Sequence, residues 1–226
     1  MAILIAAKAL FTAQGLSRTS MEGIAQAAGV SKLTVYSHFR NKEELFRQTI
    51  FAKCAEHWPD VLFDVQLRPP LRERLLGIGQ GFLDLVNSQD VINMYRLLAA
   101  EAGSNGKFGR LFWEAGPERT MQRFSQVLEA AAREGEISLR DARRSAAHFF
   151  VLLKGEHHIR CLVGAGTPLE GEARRRHLDE VVDLFLRAHA PGITPSAPAR
   201  APAARADRKQ SLRSSQRTAE AKDEKF

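Results

Sequence analysis

The chain has 226 residues, two cysteines and a formal net charge of +7. Residues 51–190 hold nineteen basic and nineteen acidic side chains, so the excess positive charge resides in residues 1–50 and 191–226, and phosphate attraction needs such localised charge. Two cysteines exclude a disulfide scaffold and no apolar run reaches the length of a membrane span, so we expect a cytoplasmic protein that does not enter a membrane.

Residues 19–47 predict two short helices around a glycine turn, followed by a third helix. Thr19 and Glu22 have the spacing of a capping box, so the first of these helices is expected to begin there. Gly29 suits the positive φ that follows a helix end, and Ser31 supplies the N-cap of the next helix. This arrangement places one exposed helix where DNA can meet it. Capped helix pairs also occur in proteins that bind no DNA, so the pattern alone leaves both interpretations open.

The second of these helices has an inner and an outer face. Val35 and Phe39 join Val30 in the predicted packing, which leaves small polar and basic side chains exposed. The surrounding residues resemble the N-terminal domain of the TetR/AcrR family of transcriptional regulators. The resemblance rests on Ile24-Ala25, Ala28-Gly29-Val30-Ser31, Thr34, Tyr36, His38-Phe39 and Lys42-Glu43-Glu44-Leu45, with Ile3-Leu4, Ala6-Ala7, Leu10-Phe11 and Gly15 fitting the first helix of that domain.

The resemblance implies that the helix after Ser31 is the recognition helix in the major groove. Hydroxyl and ammonium groups there bond base edges or phosphates, and an apolar side chain packs on a thymine methyl. The implied DNA-binding set is Thr19, Ser31, Lys32, Leu33, Thr34, Tyr36, Ser37, His38 and Lys42. Most family members carry further, often basic residues before the first helix. An arm upstream of Met1 is therefore a hypothesis, which an intact mass equal to that of the printed chain would contradict.

The remaining sequence predicts helices and no strand-like alternation, so the fold class is expected to be all-α. The predicted helices run from Lys42 towards Trp58, over 71–87 and 89–102, around 108–113, from Pro117, from Ser138 and Asp141 to about Gly164, and from Thr167 to Ala190. We expect a three-helix, helix-turn-helix DNA-binding domain at 1–47 and a helical effector and dimerisation domain at 48–190. Residues 191–226 are predicted to be a disordered basic tail, because they hold too few apolar side chains to fold alone.

The last predicted helix carries one apolar stripe, formed by Leu178, Val181, Val182, Phe185 and Leu186. In the TetR/AcrR family, the last two helices form a four-helix interface with the symmetry mate. The resemblance therefore implies a homodimer that binds a palindromic double-stranded DNA operator, since paired half-sites require paired recognition helices. The alternative is that this stripe packs only within its own chain.

Residues 108–119 and 133–137 resemble the effector domain of the AefR-like subgroup. That resemblance implies a cavity for a small, apolar effector whose binding changes the spacing of the two DNA-binding heads. The candidate lining residues are Trp58, Phe82, Tyr95, Phe112, Trp113, Phe124, Phe150 and His157. For each of them the alternative is an ordinary position in the hydrophobic core.

No enzyme signature is present, because the chain lacks a glycine-rich phosphate loop, a nucleophile elbow and a zinc-binding cysteine pair. We therefore expect no catalysis and no cofactor. His157 and His158 are neighbours on a helix and point about 100° apart, which disfavours a metal site. The sequence predicts a ligand-responsive transcriptional repressor. The alternative is a helical small-molecule-binding or scaffolding protein without specific DNA binding.

Overall fold

The computed structural model describes residues 1–58, 60–66, 69–103 and 106–192, and within these ranges all regular structure is helical. The predicted all-α class is therefore confirmed, whereas the predicted tail beyond residue 192 lies outside the described residues. The helices are α1 Ala2–Arg18, α2 Met21–Ala27, α3 Lys32–His38, α4 Lys42–Ala55, α5 Leu71–Val86, α6 Gln89–Glu101, α7 Gly106–Ala115, α8 Pro117–Arg133, α9 Ala142–Leu162 and α10 Gly171–Ala188, with a short 3-10 helix at Asp60–Phe63.

Two helices of the N-terminal unit begin as the sequence predicts. The Ser31 side chain accepts a hydrogen bond from the Thr34 amide at 3.0 Å, and the Asn41 side chain accepts one from the Glu44 amide at 2.8 Å. Gly29 has a φ of +67°, which only glycine adopts without strain. Gly29 and the Ser31 cap determine where α3 begins, and the Asn41 cap determines where α4 begins after it.

Three predicted helix starts are wrong by a few residues, and one of them is that of α10, which begins at Gly171 and not at Thr167. Ser20, not Thr19, caps α2 and accepts from the Gly23 amide at 3.0 Å. Thr19 is buried and its hydroxyl donates to the Gly15 carbonyl at 2.7 Å, so it serves α1 instead. Asp141 alone caps α9, although Ser138 and Asp141 have the spacing of a capping box.

Trp58 explains why α4 ends earlier than expected. The helix stops at Ala55, and the indole Nε1 of Trp58 donates to the Ile78 carbonyl of α5 at 3.0 Å. The ring is buried between Phe63 and Phe82. Burying this large ring requires the chain to leave the helix, and the 3-10 helix Asp60–Phe63, which the sequence did not predict, follows directly.

The buried apolar residues form two clusters. The first, here called the head cluster, contains the inner faces of α1 to α4 together with side chains of α6 and α7. The second, the body cluster, contains α5, α8, α9 and α10. Cys54 and Tyr95 pack against both clusters, so the two meet along α4 and α6. The N-terminal helices thus share their core with part of the C-terminal half.

The apolar stripe of α10 packs within its own chain. Leu178, Val181, Val182 and Phe185 are all buried in the body cluster, against α5 and α9. Gly79 on α5 permits this approach, because a Cβ there would lie 2.5 Å from a Leu178 methyl carbon. These four residues of the stripe are therefore part of the core of their own chain. Exposed apolar side chains remain on neighbouring surfaces, at Leu152 and Ile159 of α9, at Val163 directly after it, and at Leu184 of α10.

Candidate DNA-binding surface and effector cavity

Helix α3 presents most of its side chains to solvent. Leu33 is 79% exposed and Tyr36 is 42% exposed, whereas Val35 is fully buried in the head cluster. Val30 and Phe39 pack partly on the same cluster, as predicted. The structure thus brings together on one exposed ridge most of the residues implied by the resemblance: Ser31, Lys32, Leu33, Tyr36, Ser37 and His38, with Thr34 partly covered.

The hydroxyl groups of α3 are held by local hydrogen bonds. Ser31 Oγ and Thr34 Oγ1 lie 2.8 Å apart and share a hydrogen bond, and Ser37 Oγ donates to the Thr34 carbonyl at 2.8 Å. Each hydroxyl group keeps a further donor or acceptor position beyond these bonds. The ridge therefore presents hydroxyl groups of fixed orientation, which lowers the entropy lost when they meet a polar partner.

Lys32 is the cation of the ridge, and it already has a partner. Its ammonium forms an ion pair with Glu22 of α2 and lies 5.7 Å from the centre of the Tyr36 ring. The hydrogen bond from Lys32 lowers the pKa of the Glu22 carboxyl, and the same bond raises the pKa of Lys32. Both side chains are well exposed, so an incoming anion competes directly with Glu22 for the ammonium.

Two predicted contact residues have internal partners instead. Thr19 is 1% exposed, so its side chain is not part of the ridge. The Lys42 ammonium donates to the Thr19 carbonyl at 2.8 Å, which ties the start of α4 to the segment between α1 and α2. Both residues hold the scaffold behind α3. The sequence prediction also missed Glu22, because its role as the partner of Lys32 depends on how α2 and α3 cross.

A cavity of about 230 Å³ lies where the two clusters meet. Helices α1 and α4 to α9 contribute to its wall, which is almost entirely apolar. Six of the eight predicted lining residues face it: Trp58, Phe82, Tyr95, Phe112, Trp113 and Phe150. Val151 and Trp113 also line it and are 66% and 52% exposed, which indicates that the cavity opens to solvent beside them.

Two predicted lining residues lie elsewhere. Phe124 is fully buried in the body cluster, with its ring centre 5.1 Å from those of both Phe149 and Phe150. The His157 ring packs against His177 of α10 at a centre-to-centre distance of 6.0 Å. Helical periodicity predicts which side chains are buried but not which of them line a cavity. Phe124 and Phe150 both belong to the body cluster, and only Phe150 also lines the cavity.

The few charged groups at the cavity were not predicted. Lys8 of α1 pairs with Asp90 of α6 at 2.7 Å, and Lys53 of α4 lies 3.3 Å from Glu56 and 3.8 Å from the same aspartate. Lys154 of α9 also lines the cavity. Its position four residues after Phe150 was the available signal, since residues four apart lie on one helix face.

Burial changes the protonation of several groups at or beside the cavity. It raises the pKa of the Cys54 thiol to about 11 and raises that of the Tyr95 hydroxyl, so both are neutral near neutral pH. Burial, with a smaller effect of the Lys154 charge, lowers the pKa of His158 to about 4. Burial also lowers the pKa of Lys154. The wall therefore offers neutral polar groups and lysine ammonium groups.

The cavity directly contacts helices of the N-terminal unit. Thr12 of α1 and Thr49, Ile50 and Cys54 of α4 form part of its wall. These two helices pack on each other, α1 also packs on α2, and α2 packs on α3. A molecule in the cavity would therefore contact α1 and α4, the helices packed behind the exposed ridge.

The described residues contain neither a helix able to span a membrane nor a cluster of metal-binding side chains. Among residues 1–58, 60–66, 69–103 and 106–192, no helix combines the length and apolar character needed to cross a membrane. The same part of the chain holds no group of three or more histidine, cysteine or acidic side chains arranged to bind a metal ion.

Comparisons with known proteins agree on one family. Residues 3–49 match bacterial regulatory proteins, tetR family, and residues 73–191 match the AefR-like transcriptional repressor, C-terminal domain. The chain is 48% identical over 46 residues to the HTH-type transcriptional regulator AcrR of Shigella flexneri, a match that covers 20% of this chain and only 21% of that relative's length.

Two solved structures resemble the whole helical unit. The flavonoid-responsive regulator FrrA is 33% identical with a TM-score of 0.66, and the match covers 84% of this chain and 96% of that one. A TetR-family regulator from Mesorhizobium loti is 27% identical with a TM-score of 0.66, over 84% of this chain and 95% of that one. Both similarities span the ridge and the cavity together.

Proposed function

Because this chain belongs to the TetR family of bacterial transcriptional regulators, we propose that it is a ligand-responsive repressor that binds a palindromic operator as a homodimer. The observation that carries the proposal is the exposure of α3, where Leu33 is 79% exposed beside the fully buried Val35. This ridge is free to enter a major groove. The match of residues 73–191 to AefR-like repressors supports repression rather than activation.

At the DNA, each group on the ridge would do what its chemistry allows. Lys32 would exchange Glu22 for a guanine acceptor or a phosphate, and Leu33 would pack on a thymine methyl group. The hydroxyl groups of Ser31, Thr34 and Ser37 would bond base edges or phosphate oxygens. His38 and Tyr36 would lie at the border of the groove. Thr19 and Lys42 would act indirectly, by keeping α1 and α4 in place behind α3.

A homodimer would place two ridges at the spacing of two half-sites. The apolar surface available for this contact is on α9 and α10, where Ile159 and Val163 stand four residues apart and are 59% and 71% exposed. Leu184 of α10 is 45% exposed and adds to it. A second copy of the chain is the occupant that twofold pairing would bring to this surface.

The cavity would hold a small effector. Its aromatic wall suits an apolar molecule, and the name of FrrA, a flavonoid-responsive regulator with the same fold, is consistent with such a ligand. Effector binding would weaken operator binding by moving α1 and α4, which contact both the cavity and the rest of the N-terminal unit.

The remaining assignments follow from this role. The N-terminal domain would comprise residues 1–47 and the effector and dimerisation domain residues 48–190, with a basic tail after them. The protein would act in the cytoplasm, where its DNA is, and would catalyse no reaction.

A helical small-molecule-binding or scaffolding protein without specific DNA binding is the competing function. Titration with DNA flanking the protein's own gene distinguishes the two functions. Specific, salt-dependent binding supports a DNA-binding regulator, and equal affinity for unrelated DNA contradicts it.

Leu33→Asp tests the recognition helix without harming the fold. Leu33 is the second residue of α3, where an acidic side chain favours the helix and little apolar burial is lost. The new carboxylate would face phosphates and base edges, so we expect operator affinity to fall by about 100-fold or more, measured by fluorescence anisotropy at fixed salt.

The matched control is Val65→Asp, which introduces the same charge at a position 38% exposed and far along the chain from α3. Its operator affinity should stay within about twofold of the unsubstituted protein. If both variants bind the operator equally well, α3 is not the DNA-contacting helix.

Glu22→Gln should strengthen DNA binding. The substitution removes the anion that holds Lys32 and also removes a negative charge facing the phosphates. Exposed ion pairs contribute little, so the expected gain is about two- to fivefold in operator affinity, with a steeper dependence on salt. Glu56→Gln is the control, because Glu56 is similarly exposed and pairs with Lys53 away from the ridge. Unchanged or weaker binding by the Glu22 variant would mean that Lys32 does not reach the DNA.

A further inference from the structure

Lys154 differs from the other cations of the cavity. Its side chain lies on α9 and lines the cavity, and burial lowers its pKa with no opposing contribution from a carboxylate. Its ammonium lies 5.4 Å from the centre of the Tyr95 ring and 5.9 Å from that of Phe82. Within the part of the chain that the structure describes, these ring faces are its partners. A half-buried ammonium held only by aromatic rings lacks a strong hydrogen-bond acceptor.

The other two lysines of the wall are already neutralised. Lys8 lies 2.7 Å from Asp90, and Lys53 lies 3.3 Å from Glu56 and 3.8 Å from Asp90. An anionic ligand would gain little from either, because it would compete with a carboxylate in place. Lys154 therefore provides the charge that a ligand can use without displacing a partner.

The titratable groups near Lys154 are neutral and do not compensate its charge. Tyr95 and the Cys54 thiol have pKa values raised by burial, and His158, whose ring lies 5.6 Å from that of Tyr95, has a pKa lowered to about 4. Near neutral pH none of them supplies a negative charge. No carboxylate of the described residues pairs with Lys154, so a ligand that enters through the solvent-open side of the cavity can supply the anionic acceptor.

We propose that the effector is a small apolar organic acid, whose carboxylate or phenolate accepts a hydrogen bond from the Lys154 ammonium while its apolar part lies against Phe82, Tyr95 and Phe150. This inference rests on the proposed function of the cavity as the effector site and names the chemical class that it selects. The aromatic wall binds the apolar part, and the charge-assisted bond in a poorly hydrated site provides the selectivity for an acid over a neutral analogue. The volume of about 230 Å³ lies below the range of roughly 300–1,000 Å³ usual for ligand sites, which favours a compact acid.

The test uses two probes of equal shape, naphthalene-2-carboxylate and naphthalene-2-carboxamide, titrated calorimetrically into the full-length protein near neutral pH. We expect the carboxylate to bind about tenfold or more tightly than the carboxamide. In Lys154→Met, which removes the charge and leaves an unbranched side chain one atom shorter, the two affinities should come within about threefold of each other. Lys53→Met is the matched control, because it removes a charge from the same wall but from a lysine with partners, and it should retain the preference for the acid.

Every outcome decides the matter. Equal affinity of the two probes for the unsubstituted protein, a preference that survives Lys154→Met, or no binding of either probe at about 1 mM overturns the inference. Thermal unfolding of each variant verifies that it is folded. Operator affinity measured in the presence of the carboxylate then separates the two proposals. If the acid binds through Lys154 and DNA affinity does not change, the ligand class stands and the effector role of the cavity fails.

Discussion

The Ile159→Asp variant is expected to be a monomer whose operator affinity is lower by about 100-fold or more. Ile159 and Val163 form an exposed apolar pair at the end of α9, after the break at Gly155, and the Leu184 side chain of α10 is exposed as well. Near a twofold axis, each carboxylate would be buried against apolar side chains and close to its copy on the other subunit. Burying an unpaired charge costs several kcal/mol, about enough to shift a micromolar dimer to monomer.

Light scattering at micromolar concentration measures the change, with Ile5→Asp as the control. Ile5 is the same residue type and is 64% exposed, close to the 59% of Ile159, but lies on α1. The control should keep the mass of a dimer. A dimeric Ile159 variant would move the interface to another surface, and a monomeric unsubstituted protein would contradict the homodimer altogether. Operator affinity of the monomer should fall by about 100-fold or more, because the second half-site contact is lost.

This prediction depends on a distinction that the sequence did not make. The stripe of α10 is the stronger helical pattern, and it is core: Val182 is fully buried and Phe185 is 2% exposed. Ile159 and Val163 make no regular stripe, because the non-helical Gly155 interrupts α9. Periodicity identifies an apolar face but not what covers it, since packing within the chain and between copies uses the same side chains.

Local signals predicted the N-terminal unit better than the cavity. Caps such as Ser31 and Asn41 act within three residues, so their positions follow directly from the sequence. The choice of Ser20 over Thr19 was missed because both can cap, and the burial of Thr19 against Gly15 is a tertiary effect. Six of the eight residues that the sequence predicted to line the cavity do line it. The sequence did not predict the role of Lys154, because that role depends on the absence of a carboxylate partner among the described residues. Such an absence is seen only in the folded structure.

Phe46→Ala should lower the free energy of unfolding of the whole described unit by about 3–5 kcal/mol. Phe46 is fully buried on α4, and its ring centre lies 5.2 Å from that of Phe11 on α1 and 5.1 Å from that of Phe108 on α7. The substitution removes a ring that joins the N-terminal helices to the C-terminal half. No other side chain can fill the resulting void without moving one of these helices.

Denaturant titration measures this loss, and Phe51→Ala on the same helix is the control. Phe51 is 42% exposed under the Arg119 guanidinium, so its removal should cost less than about 1 kcal/mol. Because Phe46 and Phe108 lie on opposite sides of the domain boundary proposed at residue 47, we expect one cooperative transition in both variants. Two separate transitions, with the N-terminal helices unfolding first, would mean that the head cluster does not couple α3 to the cavity. One transition would show that the head cluster unfolds as part of one cooperative unit, as the proposed coupling between a ligand that contacts α4 and the position of α3 requires.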